Sequence, residues 1–250
     1  MFFDQDPTII FLPMNLAFKI GRSAYYLERL MKLFKCSIDY LDINADYLSD
    51  FIDASFSFNE VKKLAISGKK EIENDKLKYL VERFEVSEAF ILMCPVSNSF
   101  HCNPKLFDAK TLMLMGGKSA GWITGNYLSQ LGNIRILHID LPQFGMEDFV
   151  EFITGWFQSI EKTNLKSFIT SFKNPFPPQN LVLDHLQPMP WDPERRPAGV
   201  FFQNMNVLSD LSEGLDILRS DGQLATILAD ANRVLFHVWS EREMRGLPYE

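Results

Sequence analysis

The chain has 250 residues, 46% of them hydrophobic and 23% charged, which is enough apolar material for one sizeable core and excludes a disordered polypeptide. A net charge of -7 leaves no basic surplus to neutralise phosphates, so nucleic acid is not an expected partner, and acidic substrates and anionic membranes are disfavoured. Three cysteines do not make a secreted disulfide framework, and no apolar run approaches the ~20 residues of a membrane span, so the expected compartment is cytoplasmic or nuclear, with no membrane partner.

Residues 1–22 carry few signals beyond Pro7, Pro13 and a short apolar run at Ile9–Leu12. From Ser23 a helical period begins, with Tyr26, Leu30 and Leu33 on its apolar stripe. A phrase of the form apolar-x-x-apolar-x-apolar then recurs: Ile38-Leu41-Ile43, Val61-Leu64-Ile66, Val86-Ala89-Ile91, Ala109-Leu112-Leu114, Ile134-Leu137-Ile139 and, degraded, Leu165-Phe168-Thr170. The spacings are about 23, 25, 23, 25 and 31 residues, the first four within the window of leucine-rich-repeat arrays. The last two apolar positions of each phrase stand two apart, so they share one face of a strand.

Between the phrases the period changes to that of helices. Leu48, Phe51, Ile52 and Phe56 predict one over 46–56, Leu77, Leu80, Val81 and Phe84 a second begun at Asn74, 124–131 a short third, and Phe149, Ile153 and Trp156 a longer one over 146–160. Residues 94–108 hold Pro95 and Pro104 and predict an irregular or single-turn crossing. Strand and crossover at this pitch predict parallel pairing. The expected fold class is α/β: a leucine-rich-repeat-like curved solenoid over 1–185, a proline-rich linker over 186–206, and a C-terminal antiparallel β meander over 207–250 that caps it. A further strand is expected at Leu181–Leu183. The meander's first turn, Arg219-Ser220-Asp221-Gly222-Gln223, puts glycine where a left-handed backbone is needed.

Catalytic constellations are sparse. Cys94, His101 and Cys102 cluster without a second ligand pair at zinc spacing, and Glu71, Glu73 and Asp75 are too few oxygens for calcium. Gly116-Gly117-Lys118-Ser119 ends like a phosphate loop, but no glycine stands five residues before Gly117, so the required spacing fails. A nucleotide-binding or small-molecule enzyme using Gly116–Ser119 is therefore the alternative reading, and the expectation is no enzyme and no cofactor.

Three stretches carry a resemblance: Tyr26-Leu27 through Phe34-Lys35-Cys36, Met146 through Trp156-Phe157 with Asn164-Leu165-Lys166, and Asp216-Ile217-Leu218-Arg219-Ser220-Asp221-Gly222-Gln223-Leu224-Ala225-Thr226-Ile227. Together they are similar to the nematode F-box-associated family over roughly residues 25–240. The resemblance implies the substrate-recruiting region of F-box proteins in cullin-type ubiquitin ligases, with a protein partner. The segment before residue 23 is too short for an F-box, so Skp adaptor binding is not expected of this chain alone.

In each phrase the intervening residues point away from the core. This predicts one row of Asp42, Ala65, Phe90, Met113, His138 and Ile169, flanked by Ile136 in the preceding row. Phe90, Met113, Ile136 and His138 are the expected partner-binding residues, because a contiguous apolar patch on a sheet marks an interface. Coverage of the patch by the proline-rich stretch or the meander is the competing expectation.

Overall fold

The structure is a computed structural model that describes residues 38–48, 58–107, 109–115, 121–141, 143–159, 163–173, 183–202 and 207–245. The apolar run at Ile9–Leu12, the helix from Ser23 and the helix over 46–56 beyond Leu48 lie outside these residues, as do Leu181 and Pro142. Its centre is one sheet whose first six strands follow chain order and run parallel: β1 (Ile38–Asn44), β2 (Glu60–Ser67), β3 (Glu85–Met93), β4 (Thr111–Met115), β5 (Ile136–Asp140) and β6 (Ser167–Ser171).

The crossovers gather on one face. Helix α1 (Asn74–Arg83) buries Leu77, Leu80 and Val81, a 3-10 turn at Pro104–Phe107 buries Phe107, and α2 (Gly125–Ser129) and α3 (Met146–Gln158) follow. Thr124 caps α2 by accepting from the Tyr127 N–H at 3.1 Å, and Asp148 holds the Gly145 N–H at the start of α3 at 2.9 Å. Phe149, Phe152, Ile153 and Trp156 form the buried stripe of α3, spaced as a helix must space them to face one sheet. The two helices lie so close that a Cβ on Gly125 would sit 2.2 Å from the Asp148 carbonyl oxygen. That explains a glycine inside the shorter helix.

Cross-strand register builds the core in layers. One layer runs Leu41, Leu64, Phe90, Leu112, Leu137 and Phe168, and the next runs Ile43, Ile66, Leu92, Leu114 and Ile139. All of these are buried. Each such side chain contributes about 1.5–3 kcal/mol by leaving water. The third phrase departs from the expected frame. A register shift between β2 and β3 pairs Val61 with Val86 but Lys63 with Ala89, so an extra residue is accommodated in β3. The shift puts Phe90 and Leu92 in the core layers, where the sequence pattern had put Ala89 and Ile91.

Past β6 the direction reverses. Strand β12 (Arg233–Val238) pairs antiparallel with β6, followed across the sheet by β11 (Leu224–Asp230), β10 (Leu215–Leu218) and the two-residue β7 (Met189–Pro190). The meander is thus a lateral continuation of the same sheet, sharing its main core through Ile217, Ala225, Ile227, Val234 and Phe236. Gly222 has φ +87, the left-handed turn position expected of it. Arg219 forks onto Asp221 at 2.9 and 2.6 Å and lies 5.0 Å over the Trp156 ring, tying this turn to α3. Asp221 is held well below the usual carboxylate range by that hydrogen bond and by the Gln223 backbone N–H.

The stretch read as a linker is woven into the fold. Leu183 precedes a 3-10 turn at Asp184–Leu186 rather than ending a strand, and β7 lies within 186–206. Strand β8 (Gly199–Phe202) also begins there and pairs with β9 (Val207–Asp210) as a separate two-stranded ribbon. Arg196 is fully buried: its Nε donates to Asp216 at 2.7 Å, its Nη1 to the Pro197 carbonyl at 3.0 Å and its Nη2 to the Leu211 carbonyl at 2.9 Å. Proline-rich sequence reads as a spacer, but a buried arginine at its centre, bonded through all three of its side-chain nitrogens, fixes it to β10.

Candidate functional site

The face of the sheet opposite the helices divides in two. Over β6, β12 and β11 a second apolar cluster of Ile169, Val200, Leu211, Leu224, Leu235 and Trp239 covers it, drawing on the β8–β9 ribbon and, through Met244, on the terminal helix α4 (Glu241–Met244). Over β3–β5 the face is half-buried: Ile91, Met93, Thr111, Met113, Met115, Ile136 and His138 all keep partial exposure. Strands β1 and β2 add polar groups, with Tyr40 48% exposed, Asp42 accepting from the Ser67 hydroxyl at 3.3 Å, and Lys63 near Glu88 at 3.8 Å.

Three of the four expected partner residues meet here. Met113 and His138 are direct cross-strand partners, and Ile136 shares the face two residues from His138. Phe90 does not join them. It points into the core, 4.9 Å edge-on to Phe107, and the position beside Met113 belongs to Ile91. The row observed is Asp42, Ala65, Ile91, Met113, His138, Ile169 and Leu235. Ile91 was missed because one inserted residue swaps the faces of all that follow, and the only warning was that Phe90-Ile91-Leu92 repeats the apolar alternation of Leu112-Met113-Leu114. Ile169 is buried beneath the second cluster, so coverage by the chain itself holds for that end of the row.

Burial pushes the His138 imidazole below its ordinary value, and Arg233 adds to the effect while Asp140 opposes it. The ring is therefore uncharged at neutral pH and adds a polarizable, weakly polar tile to an apolar belt. This belt can bury apolar surface against another molecule. It holds no nucleophile-and-base pair, and among the described residues no group of three or more His, Cys, Asp or Glu is placed to hold a metal ion. Cys94 and Cys102 are free thiols, and burial pushes Cys94 up to about 12. Residues 116–119, the phosphate-loop candidate, lie outside the described residues.

A second cluster of chemically capable residues sits under α4. Ser167 Oγ and His237 Nδ1 are hydrogen-bonded at 3.1 Å, and Glu243 Oε1 stands 3.2 Å from His237 Nε2. The order serine, histidine, carboxylate resembles a nucleophile relay, but Ser167 is 3% and His237 1% exposed, and Trp239 stands edge-on against the imidazole at 4.9 Å. No substrate carbonyl can approach such a hydroxyl, so the cluster acts as a clasp for α4. Glu243 also receives the Ser240 N–H at 2.8 Å in a capping box.

Burial alone would raise the Glu243 carboxyl, yet the His237 ring beside it and the Ser240 bonds hold it down to about 2. A carboxylate depressed in the folded state contributes stability above its unfolded value, and that contribution is lost as pH falls from about 4.5 toward about 2. Glu243→Gln is therefore expected to be less stable than the parent at pH 7, with the difference shrinking as pH falls through that window. Urea midpoints at pH 7, 4 and 3 check this, and a difference constant over the range would show the clasp to be uncharged.

Comparison with known proteins adds relatives but no activity. No family model matches this chain. No solved structure matches it either. It is similar to Uncharacterized protein F59B2.8 of Caenorhabditis elegans, 27% identical over 132 residues, covering 50% of this chain and 29% of that protein. It is also similar to Uncharacterized protein F59B2.9 of the same nematode, 29% identical over 131 residues, covering 50% of this chain and 30% of that protein. The matched segment thus spans less than a third of the length of either relative. Among the described residues no helix is long and apolar enough to cross a membrane.

Proposed function

We propose that this chain is a non-enzymatic protein-interaction module that receives a protein partner on the open part of the second sheet face. The observation that carries the reading is the half-exposed apolar belt of Ile91, Met113 and Ile136 around a neutral His138, bordered by charged side chains on β1 and β2 and by the self-covered half beyond β6. Apolar belts with polar rims are what partner surfaces present. The finer reading is a leucine-rich-repeat-like curved array whose partner is a substrate to be recruited, as in the F-box-associated proteins of cullin-type ligases. Its supports are the near-constant pitch of the six parallel strands and the three stretches that resemble that family, the most specific of which forms the β10–β11 hairpin.

The test is the paired substitution of Met113→Asp and Ile136→Asp. Both side chains keep partial exposure, so the double variant is expected to melt close to the parent while losing the proteins that crosslink to it. Retained crosslinking would move the partner surface elsewhere, and failure to fold would show that the belt is covered within the chain.

A further inference from the structure

A small cavity opens at the C-terminal ends of β3 and β4, lined by Leu92, Cys94, Val96, Leu114, Met115 and Trp122 among others. It has room for about one water molecule. Trp122 is 4% exposed, and its indole Nε1–H has no hydrogen-bond acceptor among the described residues. The ring cannot turn to find one. Phe100 meets it edge-on at 5.0 Å, Tyr127 edge-on at 5.3 Å, and Phe107 stacks on it at 5.9 Å. A buried donor left unbonded is destabilising enough that native proteins rarely keep one. We infer that this cavity is a site for one ordered water that accepts the Trp122 Nε1–H bond. Cys94, the neighbouring lining residue, supplies a second polar group for the same water, since burial keeps its thiol protonated.

The site predicts a change of sign between two backgrounds. Val96→Ile adds a methylene to the cavity wall and expels the water. In the parent chain this strips the indole of its acceptor, and the melting temperature is expected to fall by about 3 °C. In a Trp122→Phe chain there is no donor to strand, and the same change is expected to leave the melting temperature level or raise it. Independently, NMR of the parent chain should show cross-relaxation between the Trp122 indole proton and a long-lived water. Equal shifts in both backgrounds, or an indole proton with no water contact, would overturn the inference. The NMR reading stands even if Val96→Ile does not fold.

Discussion

Asp216→Ala is expected to destabilise the protein by roughly 3–5 kcal/mol, because it removes one side of a buried ion pair and strands the other. Asp216 Oδ1 accepts from Arg196 Nε and from the Thr226 hydroxyl, each at 2.7 Å, and Oδ2 accepts from Arg195 Nη1 at 3.2 Å. Trp239 extends the chain of bonds, its Nε1–H reaching Thr226 Oγ1 at 2.7 Å. Without the carboxylate, Arg196 keeps its two carbonyl acceptors but loses its bonded countercharge, and its side chain is wholly shielded from water. The melting temperature should drop by roughly 6–20 °C, with an unchanged urea m-value. Replacing both partners by apolar residues, Arg196→Met with Asp216→Leu, should recover much of the loss, since a stranded charge is worse than none. A single variant that melts like the parent would show that water reaches this pair.

Trp156→Ala is the other large effect, at about 3–5 kcal/mol for truncating a buried aromatic. The ring is 3% exposed, edge-on to Phe236 at 5.0 Å, with Arg219 above it at 5.0 Å and its Nε1–H donated to Thr163 Oγ1 at 3.0 Å. It therefore joins α3, the β10–β11 turn and β12 at one point. Trp156→Phe should recover most of the packing but not the Thr163 bond, and so fall between parent and alanine variant in urea midpoint. An alanine variant with a parental midpoint would place Trp156 outside the core.

The parallel half of the sheet was legible because its period is local. Leu41, Leu64, Leu112, Leu137 and Phe168 occupy one core layer as their spacing required, and α1 and α3 lie where their stripes put them. What was not legible depends on pairing between distant positions. The extra residue in β3 is invisible until β2 lies beside it, and that single shift exchanged Phe90 for Ile91 in the candidate surface. Likewise the proline-rich stretch read as a linker, because the countercharge of its Arg196 stands 20 residues further on, in a strand whose apolar neighbours Leu215 and Ile217 announce only a sheet. The clasp joins residues 70 apart, and neither its serine nor its histidine carries a motif.

That separation has a kinetic meaning. In the parallel half each strand finds its partner one short crossover away, so ordering can spread from any pair to the next. The β6–β12 seam must close a far longer loop, at a loop-closure entropy that rises by about 0.6 kcal/mol with each doubling of length. Until it closes, β6 presents a bare hydrogen-bonding edge with Phe168 and Ile169 beside it. The hazard for a newly made chain therefore lies at this mid-sheet edge, which the finished fold hides in its interior.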